Sequence, residues 1–229
     1  MRARTRAEPA GHPQVRLVRR GEGRASRWKN GGGVTHELAV WPDGADLSGF
    51  DARLSMAEVA ADGPFSAFPG IDRTLAVLEG GPMRLSFGGA EVAVTADGPP
   101  LSFPGEIPVH ARLDAGPVLD LNIMTRRGAF SHQIVELSPG DSLPPQTVAL
   151  VARRKAGITG AILGLGDCIL FPAIAATEVT HGYLLAIVLA SKKEAQPSVH
   201  CCMLESRGKP LGIQSRHLVD RVEDESVRF

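Results

Sequence analysis

Asp51-Ala52-Arg53-Leu54-Ser55-Met56-Ala57-Glu58-Val59 alternates between two kinds of side chain. Ala52, Leu54 and Met56 fall on one face of an extended chain, and Arg53, Ser55, Ala57 and Val59 on the other. A period of two means a strand with both faces used. Val118 to Met124 repeats the pattern, with Leu119, Leu121 and Ile123 set against Val118, Asp120, Asn122 and Met124. Further strand-like runs are 34–40, 74–78, 83–87, 91–95, 109–113, 132–137, 147–152, 158–163, 168–171, 184–189 and 199–204. Turn residues separate them, among them Pro42-Asp43-Gly44, Asp62-Gly63-Pro64, Gly80-Gly81-Pro82, Asp97-Gly98-Pro99 and Pro139-Gly140-Asp141. Strands spaced by roughly 10 residues with turns between them predict a sandwich or barrel, so the fold class is all-β. No window carries a 3.6-residue apolar period long enough for a major helix. A short helix is predicted near Val219 to Glu225, inside a polar stretch that begins at Ser191.

Composition agrees with many short elements joined by turns. The chain has 229 residues, 43% of them hydrophobic, with 26 Gly and 17 Pro. That is enough apolar material for a core and excludes wholesale disorder. Twenty-five basic and 25 acidic residues cancel, which removes a general pull toward nucleic acid. Two Trp, one Tyr and eight Phe offer little for base stacking. The cancellation hides an asymmetry, because residues 1–30 hold nine Lys/Arg and two Asp/Glu. Residues 1–14 read as a flexible basic tail without the apolar segment of a secretory signal. The longest apolar run, Tyr183 to Ala190, is far shorter than a bilayer requires, so no membrane partner is expected. Three cysteines, two of them adjacent (Cys201 and Cys202), do not form a disulfide framework, and the cytoplasm is the expected compartment.

Two stretches are distinctive. Trp28-Lys29-Asn30-Gly31-Gly32-Gly33-Val34-Thr35-His36-Glu37 places a cation and an amide beside three glycines, with Thr35 and Glu37 on one strand face and His36 on the other. Its plainer reading is a glycine-rich hairpin turn. A phosphate loop is a poor match, since no G-x-x-x-x-G-K-[ST] pattern or following helix is present. The second stretch is Gly63-Pro64-Phe65-Ser66-Ala67-Phe68-Pro69-Gly70-Ile71-Asp72-Arg73. Ser66 lacks a G-x-S-x-G elbow and is not a nucleophile candidate.

Taken with Arg53-Leu54-Ser55 and Asp120-Leu121-Asn122-Ile123-Met124-Thr125-Arg126-Arg127, in this order, these stretches resemble the HutD/Ves family over residues 15–190 or so. The resemblance implies a two-barrel bicupin of RmlC-like jelly-roll type with a polar C-terminal extension. The expected division is a tail at 1–14, a first barrel with the ligand pocket at 15–130, a degenerate second barrel at 131–190, and the extension at 191–229. It also implies a regulator of histidine utilisation that binds a metabolite such as N-formylglutamate or urocanate. Related members are called environmental-stress-induced proteins, and no accepted reaction accompanies the family.

Cupins commonly hold a metal through G-x5-H-x-H-x3,4-E-x6-G. Counting back from Gly80 puts Arg73 at the Glu position and Ala67 and Pro69 at the two His positions. The companion pattern starts correctly at Gly98 and Pro104 but then departs, and His110 falls one residue late. A divalent metal needs three or four donors around a point. No metal and no other cofactor are therefore expected. An Arg in place of a Glu reverses the sign of the site and suits a carboxylate. The alternative for Arg73 is a structural salt bridge with Asp72 or Glu37. Candidate ligand-binding residues are Lys29, Asn30, Thr35, Glu37, Arg53, Ser55, Arg73, His110 and Asn122, with a small carboxylate metabolite as partner. Two other functions compete. One is a small-acid isomerase or hydrolase with His110 as general base and Arg73 or Lys29 stabilising negative charge. The other is a stress-induced interaction protein that forms a homodimer through sheet edges.

Overall fold

The computed structural model describes residues 15–171 and 177–192. A six-stranded antiparallel sheet runs β2 (Arg24–Arg27), β3 (Gly33–Trp41), β4 (Ala52–Val59), β11 (Val118–Arg126), β6 (Ile71–Glu79), β9 (Leu101–Pro104). Facing it is a four-stranded sheet, β5 (Gly63–Pro64), β10 (Val109–Leu113), β7 (Met83–Phe87), β8 (Ala90–Val94). A five-stranded sheet follows the order β1 (Arg16–Val18), β16 (Cys168–Leu170), β13 (Thr147–Ala152), β18 (Leu184–Ser191), β12 (Phe130–Leu137). The last sheet has three strands, β15 (Ala161–Leu163), β14 (Ala156–Ile158) and β17 (Val179–His181). Among the described residues there is no helix, and the chain is all-β.

Three apolar layers explain how these sheets stack. Ala57, Val59, Leu75, Val77, Met83, Leu85, Val109 and Ala111 fill the space between the six- and four-stranded sheets, making a first barrel. Leu150, Ala152, Ile158, Leu163, Ile169 and Leu184 fill a second barrel between the five- and three-stranded sheets. Between the barrels, Leu54, Met56, Leu121 and Ile123 meet Ala149, Val151, Leu170, Leu185 and Ile187. The central strands of the six-stranded sheet, β4, β11 and β6, are thus buried on both faces. They cannot show the simple apolar-in, polar-out pattern of a one-sided sheet. β4 shows the consequence: Leu54 and Met56 go to the layer between the barrels, and Ala57 and Val59 go into the first barrel.

Several predicted runs coincide with strands, including 83–87, 109–113 and 147–152. The run 158–163 is instead a hairpin, in which β14 and β15 pair through a turn where Gly160 takes φ +82°. Five strands went unread: β1, β2, β5, β9 and β17. Each has only two to four residues, too few to display a period. β1 pairs with β16, so residues 16–18 belong to the five-stranded sheet and pack Val18 between the barrels. The expected strand at 199–204, the helix near Val219, Cys201, Cys202, the tail at 1–14 and the extension beyond residue 192 lie outside the described residues.

The barrels are joined by polar contacts as well. His132 of β12 is half-buried and bonds through Nε2 to Thr74 Oγ1 at 2.8 Å and through Nδ1 to Thr125 Oγ1 at 2.7 Å. Burial holds its pKa below the usual value, with Asp72 pulling the other way. Asp167 caps its own loop by accepting from the Gly164 amide, and it receives Arg19 Nη1 at 2.6 Å.

Candidate functional site

Strand register decides which side chains enter the first barrel. Arg53 is opposite Met124, and Met124 is opposite Arg73, which in turn faces Phe103 across β9. One inward row further along, Glu37, Ser55 and Asn122 are paired neighbours. The next row contains Thr35, Ala57 and Asp120. Three successive rows therefore deliver polar groups from β3, β4 and β11, while in the same rows Leu75 and Val77 of β6 belong to the barrel core. The result is a cleft of about 620 Å³ on the first barrel. Its floor carries Arg53, Ser55, Arg73, Asp120 and Asn122, and its rim carries Ser26, Arg27, Lys29, Pro64 and Leu47.

The glycine-rich segment is a hairpin turn between β2 and β3 and also a wall of this cleft. Trp28 and Gly33 bond across the turn at 3.0 Å, and Gly31 has φ +72°. Gly33 is fixed by close approach: a Cβ there would stand 2.5 Å from the Glu58 carbonyl and 3.2 Å from the Trp28 ring. Trp28 Nε1 donates to Thr35 Oγ1 at 2.8 Å, and the Asn30 side-chain oxygen accepts from the Gly32 amide at 3.0 Å. These bonds aim Lys29 and Asn30 at the cleft mouth. The Lys29 ammonium has no ion-pair partner among the described residues.

Arg53 is 8% exposed and donates from Nε to Glu37 at 2.8 Å. It also reaches Ser55 Oγ at 3.4 Å. Arg73, 7% exposed, is held differently. Its guanidinium lies 5.0, 5.8 and 5.2 Å from the ring centres of Phe65, Phe68 and Phe103, and Nη1 donates to the Ser66 carbonyl at 3.3 Å. The rings supply cation–π attraction in a desolvated place. Arg73 Nε has no hydrogen-bond partner. Burial brings its pKa down to about 10, with Asp120 raising it and Arg53 lowering it further. At neutral pH it remains a cation.

The salt-bridge alternative for Arg73 does not hold. Asp72 is taken by Arg127 at 2.6 Å, with Glu106 as the second carboxylate on that arginine, and Glu37 is taken by Arg53. Asp120 acts on Arg73 by charge without an ion-pair contact. Its carboxylate is 2% exposed, and burial pushes its pKa up to about 7, against the pull of Arg73 and of the Ala57 backbone. Asp120 Oδ1 and Asn122 Oδ1 are both without partners. A buried unpaired polar atom typically costs about 1–3 kcal/mol, and three such atoms, Arg73 Nε, Asp120 Oδ1 and Asn122 Oδ1, belong to residues lining this cleft.

Of the expected site residues, Lys29, Asn30, Thr35, Arg53, Ser55, Arg73 and Asn122 line the cleft. Glu37 stands behind it as the counter-ion of Arg53. His110 must be corrected. It is exposed on β10, where Val109 and Ala111 on either side point into the barrel core, so the period of two turns the imidazole outward. It cannot act on a molecule bound beside Arg73, and a general-base mechanism through it has no support. His36 likewise faces away from Thr35 and is absent from the lining. Asp120, Phe65, Phe68, Met124 and Leu47 also line the cleft and were not among the expected residues. Asp120 had a usable signal, since it lies two residues before Asn122 and on the same strand face.

The donor set does not fit a cupin metal. Position 73 is an arginine in the cleft itself, and among the described residues no three His, Cys, Asp or Glu side chains converge. Four cations, Arg27, Lys29, Arg53 and Arg73, line the cleft against one carboxylate, Asp120. Even with Glu37 behind Arg53, the field favours an anion.

Comparison with known proteins agrees with this architecture. The HutD family model matches residues 20–178. Over 72 residues the chain is 43% identical to an uncharacterised 21.2 kDa protein in the hutC 3' region of Pseudomonas putida, covering 31% of this chain and 37% of that protein. Over 63 residues it is 40% identical to protein Ves of Cronobacter sakazakii, covering 28% and 33%. Each match thus spans about a third of the relative's length. The structure of HutD from Pseudomonas fluorescens superposes with a TM-score of 0.67 at 26% identity, covering 78% of this chain and 99% of that one. A conserved protein of unknown function from Pseudomonas aeruginosa gives 0.65 at 29% identity, with 78% and 100% covered. Protein Ylba of E. coli, 13% identical with a TM-score of 0.51 over 80% and 89%, shares the fold alone. With the family model matched over most of its length and two barrels that superpose on HutD, this chain belongs to the HutD family.

Proposed function

We propose that the protein is a non-enzymatic, metal-free binder of a small carboxylate metabolite, and that it regulates the utilisation of histidine or a related amino acid. One observation carries the reading: Arg73 is a buried cation in an open cleft, with an unpaired Nε and no carboxylate in ion-pair contact. Guanidinium stays charged at working pH and matches a carboxylate with a planar fork of donors. Arg53, already oriented by Glu37, provides a second fork nearby, and Lys29 adds charge at the mouth. The half-buried Trp28, Phe65 and Phe68 give the body of a small acid an apolar wall. Membership of the HutD family and the relative in the hutC 3' region support a histidine-utilisation setting. N-formylglutamate and urocanate are the leading candidate ligands, and a catabolic metabolite of this kind would be sensed in the cytoplasm.

Calorimetric titration with N-formyl-L-glutamate and urocanate tests the proposal. Binding to the wild type and its loss in Arg73→Ala are expected. Unchanged affinity in a folded Arg73→Ala protein would refute the role of this arginine.

A further inference from the structure

The arginines explain why an anion should enter, but they leave Asp120 unexplained. A buried carboxylate beside the place where a carboxylate ligand would sit is repulsive on charge alone. Yet Asp120 lies in the cleft lining, 2% exposed, with no ion-pair contact and with Oδ1 unpartnered. A neutral side chain of the same shape would fill the position without that penalty. What an ionised carboxylate offers in return is strong acceptance of a hydrogen bond, because it has lone pairs and no donor. Asn122, the next inward residue on β11, also has an unpartnered acceptor, Oδ1. An amide can rotate to present either end, so the requirement for a donor rests mainly on Asp120.

We propose that Asp120 is the specificity-determining residue of the cleft, and that the site selects carboxylates which also carry an N–H donor over acids that lack one. This rests on the carboxylate-binding reading above. In the bound arrangement the ligand carboxylate faces Arg73 and Arg53, and its N–H group donates to Asp120 Oδ1. The charge that acts on Asp120 is Arg73 on β6, with the Ala57 backbone amide in the same row donating to its carboxylate and no other acid in the lining. Both orphaned ends, the Arg73 Nε donor and the Asp120 acceptor, are then satisfied by one molecule. N-acyl amino acids and imidazole-bearing acids belong to this class, whereas simple dicarboxylates do not. A site built to accept a donor rejects an analogue lacking it more strongly than an apolar pocket could, because the analogue leaves the buried acceptor unpaired.

The test compares matched acids by calorimetry near pH 8, where Asp120 is mostly ionised. Urocanate is paired with 3-(3-furyl)acrylate, which keeps the five-membered ring and carboxylate but has no N–H. N-formyl-L-glutamate is paired with glutarate. The wild type should prefer the donor-bearing acid by roughly tenfold to a hundredfold, as expected for a hydrogen bond to a charged group. Asp120→Leu should bring the preference to within about threefold, because the acceptor is gone. Asp120→Asn keeps an acceptor without the charge, so it should retain part of the preference and bind furylacrylate more tightly than the wild type does. Equal binding of matched acids by the wild type would overturn the inference while leaving the carboxylate reading intact. So would a preference unchanged in both variants. No binding of any of the four acids would overturn the carboxylate reading itself, and this inference with it.

Discussion

Replacing Asp120 by Asn should make the protein more stable at alkaline pH and change little in acid. In the folded protein burial raises the Asp120 pKa to about 7, while the ordinary value is 3.8. Below about pH 4 the carboxyl is protonated in folded and unfolded chains alike, so it has no effect on their balance. Between about pH 4 and 7 the unfolded chain loses the proton and the folded chain keeps it, so stability falls as pH rises. Above about pH 7 both are ionised and the full loss is in place. Three pKa units at 1.36 kcal/mol each give about 4 kcal/mol. The value is net of the attraction to Arg73, because that attraction already acts on the folded-state pKa. A buried amide that fails to pair its own groups gives back about 1 kcal/mol or more. Asp120→Asn should therefore gain about 2–3 kcal/mol near pH 8 and about zero or a small loss near pH 4. Urea unfolding followed by circular dichroism at the two pH values measures this. Subtracting the wild-type value at each pH removes His132, Asp167 and the exposed acids, which titrate in both proteins. A variant no more stable than wild type near pH 8 would show that Asp120 is not held under strain. The case for a functional reason to keep it would fall with that result.

Other outcomes follow from the same geometry. Alanine at His110 should leave acid binding unchanged in calorimetry, because the imidazole faces outward from β10. Alanine at Gly33 would put a methyl against the Glu58 carbonyl and the Trp28 ring, so thermal unfolding should show a loss of about 1–3 kcal/mol, with weaker acid binding as Lys29 and Asn30 shift. Leu121→Ala, in the layer between the barrels, should cost about 2–5 kcal/mol in urea unfolding. His132 has a lowered folded pKa, so its share of stability is present above about pH 6.5 and is lost as pH falls below that. His132→Gln should flatten this part of the pH–Tm curve.

Much of the architecture was legible from period two alone. The alternation in residues 52–59 placed Arg53 and Ser55 on the face that proves to line the cleft, and Leu54 and Met56 on the face between the barrels. Short strands were not legible, since β5 and β17 acquire their conformation from partners distant in sequence, as in the pairing of β5 with β10. His110 was misplaced for a related reason. A displaced motif residue gives its position along a strand but not its side of the sheet, and one step of register reverses that side. Its neighbours Val109 and Ala111 could have corrected the reading, as both are apolar and both face the core.

The face of Asp120 was legible from its phase with Asn122, but its role was not. In a chain whose charges cancel overall, one aspartate on a strand resembles any solvated acid, and composition gives it no weight. Its meaning depends on three facts that only folding supplies: the central strands of the six-stranded sheet are covered on both faces, Asp72 and Glu37 are already engaged by Arg127 and Arg53, and Arg73 sits within the field of Asp120 without touching it. Each fact alone has a bland explanation. Together they leave a buried acid and a buried base in one cleft, each with an unfilled hydrogen-bonding position. A direct ion pair would have filled both positions, and the register of β11 and β6 offsets them by placing Asp120 opposite Val77 and Arg73 opposite Met124. A ligand carrying a carboxylate and an N–H donor, as proposed above, would supply the partner each of them lacks.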